Sequence, residues 1–245
     1  MVDKPEALEA GDQSYFLRGW RIYRTVLDRD YMCHRGVYGV LHRVLVEEAP
    51  RRFRFLDVAC GDAAASVLAL RETGVASYTG IDISPMALDL ARAELAGLDC
   101  PVVLLEQDFR EALAGWRDPV DVVWIGMSLH HLERPEDKLA LMRDVRRVLG
   151  PGGLFLIWEP TNPAGEDREG WLALVRTIGR ERYAGLGDDD WDMVYQHSAA
   201  SDYPETADRW LSLGLDAGFA SAAELLEAPP GLARVYRFSV EPAAA

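Results

Sequence analysis

Cysteine is scarce. Cys33, Cys60 and Cys100 are the whole complement of the 245 residues, an odd number without a Cys-x-x-Cys pair. That excludes a disulfide framework and a zinc ribbon, and predicts reduced thiols in a cytoplasmic protein. Lysine is scarcer still, confined to Lys4 and Lys138. With the abundance of alanine it points to a GC-rich bacterial genome and carries no mechanistic weight. Basic residues number 26 against 40 acidic ones, a formal charge of −14. A surface of that sign repels phosphate backbones, so nucleic acid is disfavoured as a partner. No apolar run approaches the ~20 residues of a membrane helix; residues 153–158 are among the longest. The opening residues 1–6 lack the basic patch and apolar run of a secretory leader, so neither export nor membrane insertion is expected. Among the five histidines only His130 and His131 are close in sequence. Adjacent side chains on a helix or strand point apart, so no metal site is expected from this pair without ligands from elsewhere.

What is present reads as a globular α/β protein. Hydrophobic residues make up 49% and charged residues 27%, which argues against disorder or a fibre. At this length one hydrophobic core is near its upper size, so a single domain carrying insertions is expected. Short apolar runs alternate with helical patterns through the middle, the mark of βαβ units and a mostly parallel sheet. Strands are expected at 53–59, 77–83, 101–105, 120–126 and 154–158, with closing strands at 221–227 and 233–240. Helices are expected at 63–73, from Pro85 toward Leu98, from Pro135 to the turn Gly150-Pro151-Gly152-Gly153, and at 207–218. Ser84 reads as an N-cap with Pro85 at the first helical position. Leu141, Met142, Val145, Val148 and Leu149 form one apolar stripe on the helix that Pro135 opens.

Two segments lie outside this alternation. Residues 1–50 form an N-terminal helical cap, dense in aromatics at Tyr15, Phe16, Trp20, Tyr23, Tyr31 and Tyr38. Residues 161–205 form an insertion holding Trp171, Tyr183, Trp191, Tyr195, His197 and Tyr203, long enough to serve as a lid or acceptor-binding element. Residues 51–160 remain as the cofactor-binding core, and 206–245 as a closing helix and strands.

The informative segment runs from Phe55 to Ala63. A strand feeds a small-residue turn that opens a helix, the general site of an adenosine-type ligand at the carboxyl edge of an α/β sheet. Small residues at Ala59, Gly61 and Ala63 let the backbone approach a ligand closely. Asp82 lies at the end of the second strand, where an acid can accept both hydrogen bonds of a ribose diol. A dinucleotide would need a helix N-terminus for its pyrophosphate. Asp57 and Asp62 put negative charge there instead, and a Gly-x-Gly-x-x-Gly frame survives only as Ala59, Gly61 and Ala64. S-adenosylmethionine (SAM) presents an ammonium and a sulfonium, so charge complementarity selects it over a nicotinamide dinucleotide.

These residues resemble class I SAM-dependent methyltransferases of the small-molecule type over roughly residues 53–160. Residues 56–63 resemble the family's first motif, with Ala59 and Ala63 in place of its first and third glycines. Gly80-Ile81-Asp82-Ile83-Ser84 resembles the second motif and Gln107-Asp108-Phe109 the third. Residues 128–132 and 149–153 resemble its later landmarks. The resemblance implies a Rossmann-like, doubly wound, seven-stranded, mostly parallel sheet in the order 3-2-1-4-5-7-6, with the helical cap and lid over its carboxyl edge. It implies that Asp57 binds the ammonium directly or through water, and that Ala59 and Gly61 approach the methionine portion through backbone. Asp82 would hold the ribose hydroxyls and Ile83 pack on the adenine face. Asp108 would accept from the adenine amino group, with the Phe109 N–H facing a ring nitrogen. Met127 would lie near the sulfonium. The product would be S-adenosylhomocysteine.

Methyl transfer from a sulfonium is an in-line displacement, accelerated mainly by orienting the acceptor and excluding water. A base helps only where the nucleophile arrives protonated. Candidates are His130, His131 and Glu159, each beyond the carboxyl end of an expected strand, with His197 and Tyr203 on the lid. Each has a plainer reading: a histidine that shapes its loop, a glutamate that pairs with an arginine. Tyr15, Trp20, Tyr23 and Tyr31 either line an acceptor pocket or pack a helix pair, and helical spacing favours packing. The expected partner is a small-molecule acceptor methylated at oxygen or nitrogen, with a homodimer left open. Methylation of tRNA or protein, a non-catalytic SAM-fold partner and unusual SAM chemistry are the competing readings.

Overall fold

A computed structural model describes residues 10–228 and 231–243, with side chains from Arg18 onward. The expected aromatics Tyr15 and Phe16 therefore have side chains outside the described residues. The chain opens with α1 (Ala10–Asp28) and α2 (His34–Glu47), then enters the alternation β1 (Phe53–Val58), α3 (Ala64–Leu70), β2 (Val75–Asp82), α4 (Pro85–Leu95), β3 (Val102–Glu106), α5 (Phe109–Gly115), β4 (Val120–Gly126), α6 (Pro135–Val148) and β5 (Leu149–Asn162). The insertion folds as α7 (Arg168–Arg182) and α8 (Asp188–Ser201), followed by β6 (Glu205–Thr206), α9 (Ala207–Asp216), β7 (Ser221–Ala228) and β8 (Ala233–Ser239).

The sheet order is β3-β2-β1-β4-β5-β8-β7, with β6 paired only to β5. With the two-residue β6 left out of the numbering, this is the expected 3-2-1-4-5-7-6 order. β3, β2, β1, β4 and β5 run parallel, and β8 is antiparallel to both neighbours. Strand alternation divides the core into two layers. Leu56, Val58, Val123 and Ile125 face α5, α6 and α9, where Leu113, Met142, Val145 and Trp210 complete one cluster. Phe53, Phe55, Val122 and Trp124 face the other way, against Leu41, Val67 and Leu95 of α2, α3 and α4.

Four element boundaries differ from the sequence expectation for local reasons. The helix expected at 63–73 starts at Ala64 and ends at Leu70, because Ala63 is held in the left-handed region at φ 56°. The seven-residue α5 was not expected: it is too short for an apolar period, and only the cap marks it, Asp108 accepting from the Arg110 N–H at 2.8 Å. β5 is far longer than 154–158, since the glycine-rich turn continues as extended chain with Leu149 in register with Val120. β6 is a two-residue pairing of Glu205 and Thr206 with Thr161 and Asn162, below the length at which a sequence pattern registers. Ser84 does cap α4, its hydroxyl accepting from Ala87 N–H at 3.2 Å. Among the described residues no helix is long and apolar enough to cross a membrane.

The lid has its own small core of Trp171, Val175 and Trp191. Gly179 makes it possible, since a Cβ there would sit 2.0 Å from the Trp191 ring.

Candidate active site

The turn after β1 is built on alternating left-handed residues: Ala59 at φ 55°, Gly61 at φ 55° and Ala63 at φ 56°. Two of the three carry a side chain, each at about 1–2 kcal/mol of strain. That turn is clasped by Asp82, the last residue of β2. Its Oδ2 accepts from Gly61 N–H at 2.9 Å and its Oδ1 from Ser84 N–H at 2.8 Å. Each carboxylate oxygen retains a lone pair beyond the bond it accepts. A Cβ on Gly61 would meet nothing within 4 Å, so the turn borders open space. Beside it Ile83 is 70% exposed, an uncovered aliphatic platform at the strand's carboxyl end and not a core residue.

Three aspartates converge on this turn. Asp57 is 2% exposed and accepts from the Tyr78 hydroxyl at 2.7 Å. Burial, seconded by the charges of Asp82 and Asp62 and resisted by Ser66 and Tyr78, pushes its carboxyl up to about 7. Asp62 is also buried; it accepts from Ala64 N–H at 3.1 Å, and its pKa is raised by burial. Arg24 of α1 reaches it at 3.6 Å, which sets the N-terminal cap against the turn. A cluster of acids around the turn fits a cationic ligand and opposes a diphosphate.

The remaining cofactor candidates are placed as follows. Asp108 caps α5 and holds Arg110 at 2.8 Å, and that guanidinium keeps its carboxyl below the usual range. An adenine amino group would share this carboxylate with Arg110. Phe109 begins α5 half-buried against the layer under α6. Met127 follows β4 in the left-handed region at φ 56°, its N–H donating to the Trp158 carbonyl at 2.7 Å.

Glu159 and the two histidines meet on the acceptor side. Glu159 is fully buried. Its Oε1 accepts from the Ser128 and Leu129 N–H groups at 3.2 and 2.9 Å; its Oε2 accepts from His130 N–H at 3.2 Å and lies 2.6 Å from His130 Nδ1. One carboxylate thus holds the whole 3-10 turn Leu129–His131. His130 is also buried, its Nε2 3.3 Å from Asp202 Oδ1. Burial opposes its protonation, but Glu159 and Asp202 outweigh it and lift the imidazole to about 9. His131 alone of the three reaches the surface. Its Nδ1–H donates to the Ser201 carbonyl at 3.0 Å, leaving Nε2 as the ring's acceptor, and burial with the His130 charge lowers its pKa. The lid candidate His197 lies edge-on to His131, with ring centroids 5.6 Å apart. Tyr203 anchors the lid, donating its N–H to the His130 carbonyl at 2.9 Å.

Asp202, Lys138 and Glu205 were not singled out from the sequence. Lys138 is buried, with Nζ 2.6 Å from both Glu205 Oε1 and the Tyr203 carbonyl. Its position on the helix face that carries Leu141, Met142 and Val145 was the available signal: a lysine in an apolar stripe needs a buried partner.

A cavity of about 100 Å3 lies beneath the lid, lined by Tyr31, Met32, Met127, Trp171, Tyr183 and Leu232 among others, with Asp202 at its polar side. Tyr31 is thus a pocket residue, whereas Tyr23 stacks against Trp20 and His34. Tyr38 packs in the core against Trp124 and Trp158.

Residues 55–153 match the family model described as a methyltransferase domain. The chain is 35% identical over 130 residues to the cypemycin N-terminal methyltransferase of a Streptomyces species, covering 52% of this chain and 50% of that one. It is 29% identical over 157 residues to the "Probable phthiotriol/phenolphthiotriol dimycocerosates methyltransferase 2" of Mycobacterium ulcerans, covering 63% and 56%. The chain therefore spans about half the length of the curated relatives it matches. Among solved structures, the YcgJ protein of Bacillus subtilis superposes with a TM-score of 0.59 at 15% identity, over 84% of this chain and 99% of that one.

Proposed function

We propose that this protein, whose residues 55–153 match the methyltransferase-domain family model, moves the methyl group of SAM to an oxygen or nitrogen of a small, largely apolar molecule held under residues 161–205, read as a lid. The observation that carries this reading is Met127. It follows β4 at the carboxyl edge, on the side expected for the sulfonium, and also lines the aromatic cavity. Donor and acceptor sites thus share a wall. The two curated relatives, by name a cypemycin N-terminal and a probable phthiotriol/phenolphthiotriol dimycocerosates methyltransferase, support a natural-product acceptor. The formal charge of −14 weighs against tRNA, and reduced thiols favour the cytoplasm.

Bound SAM supplies an electrophilic methyl on a positively charged sulfur. The chain's own residues do the rest. Asp82 holds the ribose hydroxyls with its remaining lone pairs, Ile83 supports the adenine, and Asp57 and Asp62 attract the cationic end. Trp171, Tyr183 and Leu232 keep water from the acceptor. His131, through Nε2, takes the proton from a hydroxyl or amine acceptor, while Glu159 and His130 hold its turn in place.

Calorimetry with SAM and with NAD tests the cofactor reading: SAM binds and NAD does not. Asp82→Ala removes the acceptor of two backbone N–H groups, each worth about 1.5–3 kcal/mol with a charged partner, and SAM affinity falls at least tenfold. Unchanged affinity in that variant refutes the site. Incubation with SAM and a panel of aromatic alcohols and amines, read by mass spectrometry, tests the acceptor class; methylation only of tRNA or a folded protein overturns it.

A further inference from the structure

Three side chains around the lid hinge point their ligand atoms at one another without good hydrogen bonds between them. His130, His131 and Asp202 each offer a metal-binding atom, and all of these lie within 4.8 Å of one another. The Asp202 Oδ1 is the centre of the group. It stands 3.3 Å from His130 Nε2, 3.5 Å from His131 Nδ1 and 3.9 Å from His197 Nε2. Yet Asp202 is 5% exposed and this oxygen has no hydrogen-bond partner. The nearest nitrogen is within ion-pair range but outside hydrogen-bond geometry. The imidazolium of His130 balances the charge of this carboxylate, but the buried oxygen is left without a well-formed hydrogen bond.

The spacing has a simple reading. Four ligands about 2.0–2.1 Å from a tetrahedral zinc stand about 3.4 Å apart, close to the separations around Oδ1. The support behind the first ligand is also of the metal-site kind. His130 turns Nδ1 to Glu159 at 2.6 Å, which fixes the ring and leaves Nε2 for a cation, the carboxylate–histidine arrangement that orients metal-bound imidazoles. We propose that His130, His131 and Asp202 form a binding site for a divalent first-row transition metal, zinc in the first place, that ties residues 161–205 to the turn after β4, and that the exposed His197, outside this cluster at 3.9 Å from Asp202, turns in as the fourth ligand. Imidazole nitrogens with a single carboxylate suit zinc, nickel or copper better than magnesium or calcium.

The histidine pair lies on the core and Asp202 and His197 lie on the lid, so the ion bridges the two. It replaces one existing contact, the bond from His131 Nδ1 to the Ser201 carbonyl. The site does not rest on the methyl-transfer reading, but it competes with that reading for His131. Where it is filled, His131 is a ligand and no longer a free base.

The experiment strips the purified full-length chain with a chelator, dialyses it, and titrates it with Zn2+ and with Co2+. One equivalent of Zn2+ binds at submicromolar Kd and raises Tm, and Co2+ develops the visible absorption of a tetrahedral nitrogen–oxygen site. His131→Ala and His197→Ala each weaken zinc at least about tenfold, whereas His42→Ala, on the far side of α2, leaves it unchanged. Asp202 is buried and its substitution can disturb folding; His197, 60% exposed at its side chain, keeps the test decisive. No saturable binding below the micromolar range overturns the proposal. So does zinc binding that neither His131→Ala nor His197→Ala alters, and neither result touches SAM binding.

Discussion

The charge logic of the cofactor turn makes the affinity for SAM a function of pH, with a sign and size that follow from Asp57. Its carboxyl is pushed to about 7, from an ordinary value of 3.8, mainly by burial. A cation bound nearby favours the ionised form, so binding must remove that proton wherever it is present. Only about 3% of the carboxyl is ionised at pH 5.5 and about half at pH 7, so SAM binds roughly sixteenfold more tightly at pH 7, about 1.6 kcal/mol. The donor's own amino group, titrating near 8, stays charged across that interval. The free protein behaves in the opposite sense. A carboxyl raised on folding binds more protons folded than unfolded between pH 3.8 and about 7, so this group's contribution to stability declines as pH rises through that window. Asp62, also raised by burial, works in the same direction. Calorimetry from pH 5.5 to 7 in two buffers of different ionisation enthalpy measures both the affinity and the proton released. Asp57→Asn should remove most of the slope and of the release, with Asp62 supplying what remains. A flat wild-type profile, or a slope undiminished in Asp57→Asn, refutes the electrostatic argument.

Two further perturbations probe the scaffold. Ala59→Gly removes left-handed strain of about 1–2 kcal/mol and gives back roughly 0.5–1 kcal/mol in chain entropy. Tm should rise by about 1–3 °C, and a fall would show that the methyl packs favourably despite its φ. Lys138→Met leaves Glu205 without its cation and should cost about 3 kcal/mol in chemical denaturation. The double variant Lys138→Met, Glu205→Gln should recover part of that loss, and no recovery would show that the cation matters for Tyr203 and not for Glu205.

The turn and strand ends proposed for the cofactor were legible as a cluster because they are local in sequence. Asp57, the turn at Ala59–Ala63 and Asp82 fall within one βαβ unit, and adjacent parallel strands bring their carboxyl ends together whatever the rest of the chain does. The acceptor half is assembled from distant segments. His131 and Asp202 are neighbours only because the excursion of α7 and α8 returns to β5 at the two-residue pairing of Glu205–Thr206 with Thr161–Asn162. Nothing in the composition of residues 161–205 fixes that return point. Glu159 illustrates a different limit. Its position after a buried strand marked it as significant, but whether it faces substrate or clasps a turn depends on whether backbone N–H groups are offered, and four bonds to residues 128–130 decide that.

On the proposed reading of residues 161–205 as a lid, its C-terminal attachment is its strongest point, and that predicts where an acceptor enters. Both ends of the insertion are knitted together by buried and part-buried contacts: Asn162 donates from Nδ2 to the Pro204 carbonyl at 3.2 Å, Lys138 holds Tyr203 and Glu205, and Asp202 faces His130. Opening there would expose unpaired buried charge, at several kcal/mol. The opposite rim rests on the first helix through Arg18 and Asp190 at 2.7 Å, an ion pair 36% and 22% exposed, with Arg182 and Gly185 bonded to Tyr31. Exposed pairs of this kind contribute about 0–1 kcal/mol. If residues 161–205 act as a lid, these contacts predict that it swings about residues 202–206 and parts from α1, opening the cavity at Tyr31 and Tyr183. Arg18→Ala should speed amide hydrogen exchange at residues 183–190 by up to about fivefold, corresponding to ~1 kcal/mol, and leave residues 202–206 unchanged. Faster exchange at 202–206 instead would place the hinge at the other rim and reverse the entry path.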